Sequence, residues 1–214
     1  MLISAPCRWQ GLERSMHMAA LEQSKTRINL MRAFAGESQA RNRYAFAAQL
    51  ARGQRLEVVA EAFDLTARQE QEHAEIFYGF LAPLNGTNIL MDAGYPVNTE
   101  RSVAAQLRDA RHNEMEECDV VYPDFARMAR EEGLGRIADV FSGVAEIERT
   151  HAARFQRFAD ALEEGKLFAG GSKTAWLCLN CGHIHLGAEA PAVCPICGRD
   201  QGWMIRADWT PLAP

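Results

Sequence analysis

The sequence predicts an all-α four-helix bundle followed by a small domain that binds a metal through four cysteines. Over residues 24–165, apolar and polar residues alternate with the spacing of amphipathic helices. The tail at 176–214 is instead rich in Gly and Pro and contains two Cys-x-x-Cys pairs. The 214 residues suffice for one mid-sized domain and a smaller one.

The first two helices, A and B, are predicted between about Ser24 and Ala82. A break at 52–54, around Gly53, would separate them into an antiparallel pair. The following stretch, residues 81–100, contains two Pro and two Gly residues and predicts a long connection rather than a tight turn. Bundles with one long crossover connection have this organisation.

Helix C is predicted from about Thr99 to Glu132, with a kink near Tyr122-Pro123, because an internal proline removes a backbone hydrogen bond. Helix D then runs from about Gly135 to Glu164 and ends at Gly165. Residues 166–175 include Gly-Gly-Ser and predict a linker to the cysteine domain.

Composition argues against several classes of partner. The net charge of −5 does not suit nucleic acid or a membrane surface. No apolar run approaches the ~20 residues that span a bilayer, and the first residues lack the apolar core of a signal peptide. Four of the six cysteines are paired at metal-ligand spacing, which does not resemble a secreted disulfide scaffold. These features predict a cytoplasmic protein.

A repeated Glu-x-x-His motif is the main chemical signal of the bundle. It comprises Glu70 with His73 and Glu148 with His151. Residues three apart share a helix face, so each pair could present a carboxylate and an imidazole to the same metals. A lone copy would more often be a solvated face, but two copies favour a metal site.

Helices A and C offer one further carboxylate each, Glu37 and Glu117, at similar distances from the two motifs. Glu114 shares the face of Glu117 and is an alternative or supporting ligand. Burying four carboxylates together is prohibitive without cations, which predicts two divalent metals. The donor set suits iron or manganese and is also compatible with zinc.

The tail presents Cys178 and Cys181, then, after twelve intervening residues, Cys194 and Cys197. Two such pairs form a tetrahedral four-sulfur site that favours iron or zinc. Glycine follows the second cysteine of each pair and permits a tight turn.

The segments FAGESQARNRY at 34–44, EQEHAEIF at 70–77 and YPDFARMAREEG at 122–133, together with the tail cysteines, resemble rubrerythrins. The resemblance covers about residues 26–209, so residues 1–23 are expected to be an N-terminal extension. It implies a ferritin-like bundle with a carboxylate-bridged di-iron site, a rubredoxin-like iron centre, and cytoplasmic reduction of hydrogen peroxide to water.

Carried over by position, the resemblance implies that the di-iron ligands are Glu37, Glu70, His73, Glu117, Glu148 and His151. The four tail cysteines would hold one more iron, which zinc could replace in recombinant protein. Val120 stands where this comparison leads us to expect a further Glu, which leaves a six-ligand set similar to that of bacterioferritin. On this basis His73 is expected to stay on iron in both redox states.

We therefore expect a peroxidase that acts in oxidative-stress defence. Tyr44, on the face of Glu37, would hydrogen-bond a bridging carboxylate or peroxide, and Tyr122 is a second candidate. The resemblance implies a separate NAD(P)H-linked reductase or rubredoxin as electron donor and a head-to-tail homodimer or larger homo-oligomer. Two alternatives remain: a ferroxidase or iron-handling protein, and a non-enzymatic interaction module with a zinc ribbon.

Overall fold

The structure, a computed structural model, describes residues 21–210. The predicted helical region is helical throughout this range, apart from its connections. In chain order the helical elements are α1 (Thr26–Gly53), α2 (Glu57–Phe80), a 3-10 turn (Ala82–Leu84), α3 (Val103–Glu116), a π-helical turn (Glu117–Val121), α4 (Tyr122–Glu131) and α5 (Gly135–Glu163).

Local chemistry explains where several helices begin and end. The helix predicted from Thr99 starts at Val103, because Ser102 caps it by accepting a hydrogen bond from the N–H of Ala105. The interruption predicted near Tyr122-Pro123 is a π-helical turn that ends immediately before this pair. Gly133 and Gly165 end α4 and α5 with positive φ angles of 75° and 65°.

The chain forms two compact units that divide the helices between them. The first unit comprises the described residues up to Ala40, with Gln69–Tyr95 and Glu116–Glu148. It contains a segment of each of four helices, and its core is apolar. Fully buried members of this core include Leu30, Phe77 and Phe141, and the rings of Phe77 and Phe141 stack with centroids 5.0 Å apart.

The second unit comprises Arg41–Arg68, Pro96–Met115 and the chain from Arg149 onward. Its helical part is centred on Tyr44, Phe63 and Phe155, whose ring centroids lie 5.1–6.1 Å apart. Its C-terminal part is a three-stranded antiparallel sheet in the order β2-β1-β3, with β1 at Ala175–Cys178, β2 at Ile184–Leu186 and β3 at Met204–Arg206.

The cysteine domain contacts the α1–α2 turn within the second unit. A side chain at Gly202 would collide with the backbone carbonyl of Arg55, which itself has a positive φ of 59°. The two backbones therefore meet closely at a position that only glycine permits.

The predicted division of the chain into an extension, a bundle, a linker at 166–175 and a cysteine domain stays a prediction. The two compact units divide the chain at other positions. The predicted extension at 1–23 lies almost entirely outside the described residues, as does Cys7. No helix in the described range is long and apolar enough to cross a membrane.

Candidate metal centres

Four predicted ligands in the first unit converge on one buried cluster. Glu37 lies on α1, Glu70 and His73 on α2, and Glu148 on α5. One ligand atom from each lies within 4.8 Å of the others, and none of the four residues is more than 5% exposed. Three helices thus bring together side chains that are far apart in sequence, as the Glu-x-x-His pattern predicts.

The cluster without metal is strongly unfavourable for negative charge. Burial is the main cause that raises the pKa of Glu37 well above its usual value, and the nearby charges of Glu70, Glu148 and Glu117 raise it further. Burial acts to lower the pKa of His73, but its contacts with Glu148 and Glu70, both at 3.0 Å, outweigh burial and raise that pKa to about 9.

The raised pKa values of Glu37 and His73 indicate whether these side chains suit metal ions. In the metal-free cluster, bound protons neutralise the negative charge of the buried carboxylates. Divalent cations could neutralise the same charge in place of these protons. Carboxylate oxygens with imidazole nitrogens are the donors that iron and manganese accept. The chemistry of the cluster therefore fits the predicted metals.

Tyr122 supports this cluster from the element that follows the π-helical turn. Its hydroxyl donates a hydrogen bond to Oε1 of Glu37. Its ring packs against both Phe77 and Phe141, with centroids 5.5 and 5.9 Å away. Burial, together with the charge of Glu37, raises the pKa of Tyr122 well above its usual value, so the phenol stays protonated and able to donate.

Glu117 is not among the four converging residues and is less buried than they are. It is half-buried at the first position of the π-helical turn. Its charge contributes to the raised pKa values of Glu37 and Tyr122. π-helical turns are rare and occur frequently at functional sites.

Val120 has no part in the cluster. Its side chain is 56% exposed, so the absence of a carboxylate at this position removes no buried ligand. The six-ligand set that this departure implies stays a prediction.

Glu114 belongs to a second group of buried polar residues, in the second unit. It is 1% exposed, accepts a hydrogen bond from the Tyr44 hydroxyl, and has Oε2 3.4 Å from Nδ1 of the fully buried His151. Tyr44 therefore contacts the carboxylate of Glu114, and the catalytic role expected for Tyr44 stays a prediction. From the shared face with Glu117, the sequence predicted Glu114 as an alternative or supporting ligand, and that role stays a prediction.

The four cysteines meet in the C-terminal domain. Their sulfur atoms all lie within 4.8 Å of one another, with Sγ of Cys178 3.6 Å from that of Cys197 and Sγ of Cys181 3.7 Å from that of Cys194. Four sulfurs at this separation fit one tetrahedral iron or zinc ion.

The local backbone explains this geometry. Gly182 and Gly198 have positive φ angles of 76° and 72°, and their N–H groups donate to the carbonyls of Cys178 and Cys194. Each pair thus closes a tight turn around its sulfurs, as the glycine positions predict. A hydrogen bond from the backbone of Arg199 is the main cause that lowers the pKa of Cys197 to about 6, which favours the thiolate that a metal needs.

Comparisons with known proteins agree with both centres. The family model described as rubrerythrin matches residues 29–159, and the model of the rubrerythrin rubredoxin-like domain matches residues 176–203. A rubrerythrin of Clostridium perfringens is 40% identical over 187 residues, covering 87% of this chain and 96% of that protein. A rubrerythrin of Porphyromonas gingivalis is also 40% identical, covering 86% and 90%.

Solved structures of nigerythrin are similar in fold. The structure described as fully reduced, all ferrous, is 30% identical with a TM-score of 0.58, and the match covers 86% of this chain and 90% of that one. A ferritin-like domain with a rubredoxin-like domain is thus confirmed as the fold class. The chain carries a carboxylate and histidine cluster for a di-iron site and a four-cysteine cluster for a rubredoxin-like iron.

Proposed function

Because this chain belongs to the rubrerythrin family, whose members are oxidoreductases, we propose that it is a non-haem di-iron peroxidase. It reduces hydrogen peroxide to water in the defence against oxidative stress. One observation carries the proposal: a single chain holds a buried carboxylate and histidine cluster together with a four-sulfur cluster. The first suits a two-electron reaction and the second suits one-electron transfer.

The residues that would hold the di-iron centre are Glu37, Glu70, His73, Glu117, Glu148 and His151, with Glu114 as a seventh. The rubredoxin-like iron would be held by Cys178, Cys181, Cys194 and Cys197. When bound, the two irons supply the two electrons that cleave the O–O bond of hydrogen peroxide. Two protons complete the balance, so that each peroxide gives two molecules of water.

The two buried tyrosines orient the carboxylates of the centre. Tyr44 donates to Glu114 and Tyr122 donates to Glu37, and hydrogen bonds of this kind fix the orientation of a carboxylate that would bind metal. Tyr44 therefore acts through Glu114, as a positioning residue. Burial of the cluster excludes bulk water and strengthens these contacts.

Electrons are proposed to reach the di-iron centre from the rubredoxin-like iron, which a separate NAD(P)H-linked reductase or a rubredoxin reduces. Such exchange is supported by the exposure of Cys181 and of two apolar side chains close to the cysteines in sequence, Ile184 and Ile196. The acceptor is proposed to be the di-iron centre of a partner subunit in a head-to-tail homodimer, as in the family. The cytoplasmic location stays a prediction.

Peroxide consumption under anaerobic conditions, with NADH and a rubredoxin reductase as donor, tests this function. Glu70→Gln is expected to lower the rate at least about tenfold, because it weakens the cluster. Glu72→Gln is the matched control, since Glu72 is an exposed carboxylate two residues away on α2. Equal rates in both variants, or no peroxide consumption by the iron-loaded wild type, would contradict the proposal.

The ferroxidase alternative rests on a six-ligand set, and the proposal of the buried Glu114 as a seventh ligand weighs against it. The two functions are separated by substrate. An iron-handling protein would oxidise ferrous iron with oxygen and retain a ferric mineral, whereas the peroxidase turns over with peroxide and releases only water. Visible absorption by ferric four-sulfur iron distinguishes both from a colourless zinc ribbon.

A further inference from the structure

The connection between the 3-10 turn and α3 carries a half-buried asparagine, Asn98, in the second unit. Its side-chain oxygen accepts hydrogen bonds from Nη1 of Arg43 on α1 and from Nδ2 of Asn113 on α3, both at 3.0 Å. Its backbone oxygen accepts a further hydrogen bond from Nε2 of Gln106 at 3.3 Å. One loop residue therefore joins α1 to α3.

The two side chains that donate to the Asn98 amide are chain neighbours of a buried pair in the candidate site. Arg43 directly precedes Tyr44 on α1, and Asn113 directly precedes Glu114 on α3. Tyr44 and Glu114 are only 3% and 1% exposed, and the tyrosine hydroxyl donates to the carboxylate. The same two helices are thus joined twice, once through the half-buried Asn98 and once between buried side chains.

The guanidinium of Arg43 depends on Asn98 for its position. Its central carbon lies 5.7 Å from the centroid of the Tyr44 ring, within the range of a cation–π contact. Within the described residues, Nη1 donates to the Asn98 oxygen, whereas Nε and Nη2 are buried without a hydrogen-bond partner. Asn98 therefore accepts the one side-chain hydrogen bond that keeps this positive charge on the ring of Tyr44.

We propose that Asn98 is a positioning residue of the di-iron centre. It acts through Arg43, whose charge strengthens the hydrogen bond from Tyr44 to Glu114, because a cation on a phenol ring makes the hydroxyl a stronger donor. The other oxygen of Glu114, Oε2, lies 3.4 Å from Nδ1 of His151, so a fixed Glu114 keeps both side chains in one arrangement. This role rests on the proposed function, in which Glu114 and His151 bind iron.

Binding of ferrous iron at the di-iron centre, in protein whose cysteine site is already filled, tests this role without using activity. Asn98→Leu has a similar size but no acceptor, and it is expected to lower the iron affinity by about tenfold, as for residues that orient metal ligands. Asn98→Asp keeps an acceptor oxygen for Arg43 and should stay within about twofold of wild type. Asn88→Leu changes an exposed asparagine of the same connection and is the matched control, with unchanged affinity.

A combined variant separates positioning from a general folding defect. If Asn98 acts through the hydroxyl of Tyr44, then Asn98→Leu should lower the affinity by no more than about twofold in protein that already carries Tyr44→Phe. The same loss in both backgrounds would overturn the proposal. Arg43→Met removes the guanidinium beside an intact Asn98 and should weaken iron binding as much as Asn98→Leu does; wild-type affinity in this variant would also overturn it.

Failure of the positioning role and failure of the proposed function give different results. If the wild type binds iron without reducing peroxide, while Asn98→Leu still binds iron more weakly than Asn98→Asp, the positioning role stands and the peroxidase assignment falls. If peroxide is reduced but Asn98→Leu, Asn98→Asp and Asn88→Leu bind iron equally, the positioning role falls alone.

Discussion

The hydroxyl of Tyr122 donates a hydrogen bond to the carboxyl group of Glu37, and both side chains are almost completely buried. The pair joins α1 to the element that follows the π-helical turn. Glu37 has a raised pKa in the metal-free cluster, so the phenol provides a fixed donor to a carboxyl group that metal would deprotonate. This contact links the stability of the first unit to the geometry of the metal site.

Replacing Tyr122 with Phe should destabilise the metal-free protein. The ring packing stays, but a buried oxygen of Glu37 loses its donor, which costs about 1–3 kcal/mol in the free energy of unfolding. Urea unfolding of the metal-free variants measures this change. Tyr78→Phe removes an exposed hydroxyl and is expected to have no effect; equal midpoints for the two variants would contradict the structural role of the contact.

Replacing Glu114 with Gln should weaken iron binding at the di-iron centre. Glu114 is buried beside His151 and accepts the Tyr44 hydrogen bond, so its loss should lower iron affinity by about tenfold or more. Iron titration of the metal-free protein measures this affinity. Glu116→Gln changes an exposed neighbour and serves as the control. If Glu114→Gln binds iron with wild-type affinity, Glu114 is not an iron ligand.

Replacing Gly202 with Ala should disturb the contact between the cysteine domain and the α1–α2 turn. The new methyl group meets the Arg55 carbonyl, and relief of such overpacking typically costs about 1–3 kcal/mol. Thermal unfolding and protease sensitivity of residues 164–175 report the effect. Gly171→Ala introduces a methyl group into open space and should leave both unchanged. If Gly202→Ala behaves like Gly171→Ala, the contact has no energetic importance.

Glu132 makes the start of α1 sensitive to pH. Its carboxylate accepts hydrogen bonds from the backbone N–H groups of Lys25 and Thr26 and from the Thr26 hydroxyl. Burial acts to raise the pKa of Glu132, but these hydrogen bonds lower it below the ordinary value of 4.5.

A lowered pKa means that the stabilisation is complete above pH 4.5 and is lost as the pH falls through the folded-state value. Glu132→Gln should therefore cost about 1 kcal/mol at neutral pH, as for loss of a helix cap. In urea unfolding of the metal-free proteins, the difference between variant and wild type should shrink in acid. A difference that is constant with pH would contradict this role.

Local sequence patterns predicted those parts of the sites that depend on short spacing. The two Glu-x-x-His pairs lie on helices, where three residues return a side chain to the same face, and the Cys-x-x-Cys turns need only a glycine after the second cysteine. Within the first unit Glu70, His73 and Glu148 meet, and the four cysteines meet in the tail.

The sequence did not show which of Glu114 and Glu117 is the more buried carboxylate. A regular helix would keep both on one face, but the π-helical turn begins at Glu117 and changes the period there. Glu114 is consequently the more buried of the two. Contacts such as that of Tyr95 with Gly36 join a loop to a helix, and no periodic pattern encodes them.

The most direct test of the peroxidase function is a visible spectrum with metal analysis of the anaerobically reduced protein, before and after two equivalents of hydrogen peroxide per di-iron site, which suffice to oxidise all three irons. The account predicts about three iron ions per chain and the appearance of ferric four-sulfur absorption as peroxide is consumed, because electrons pass from the tail iron to the di-iron centre. A colourless tail that holds zinc in protein from the native host, or four-sulfur iron that stays reduced while peroxide persists, would contradict it.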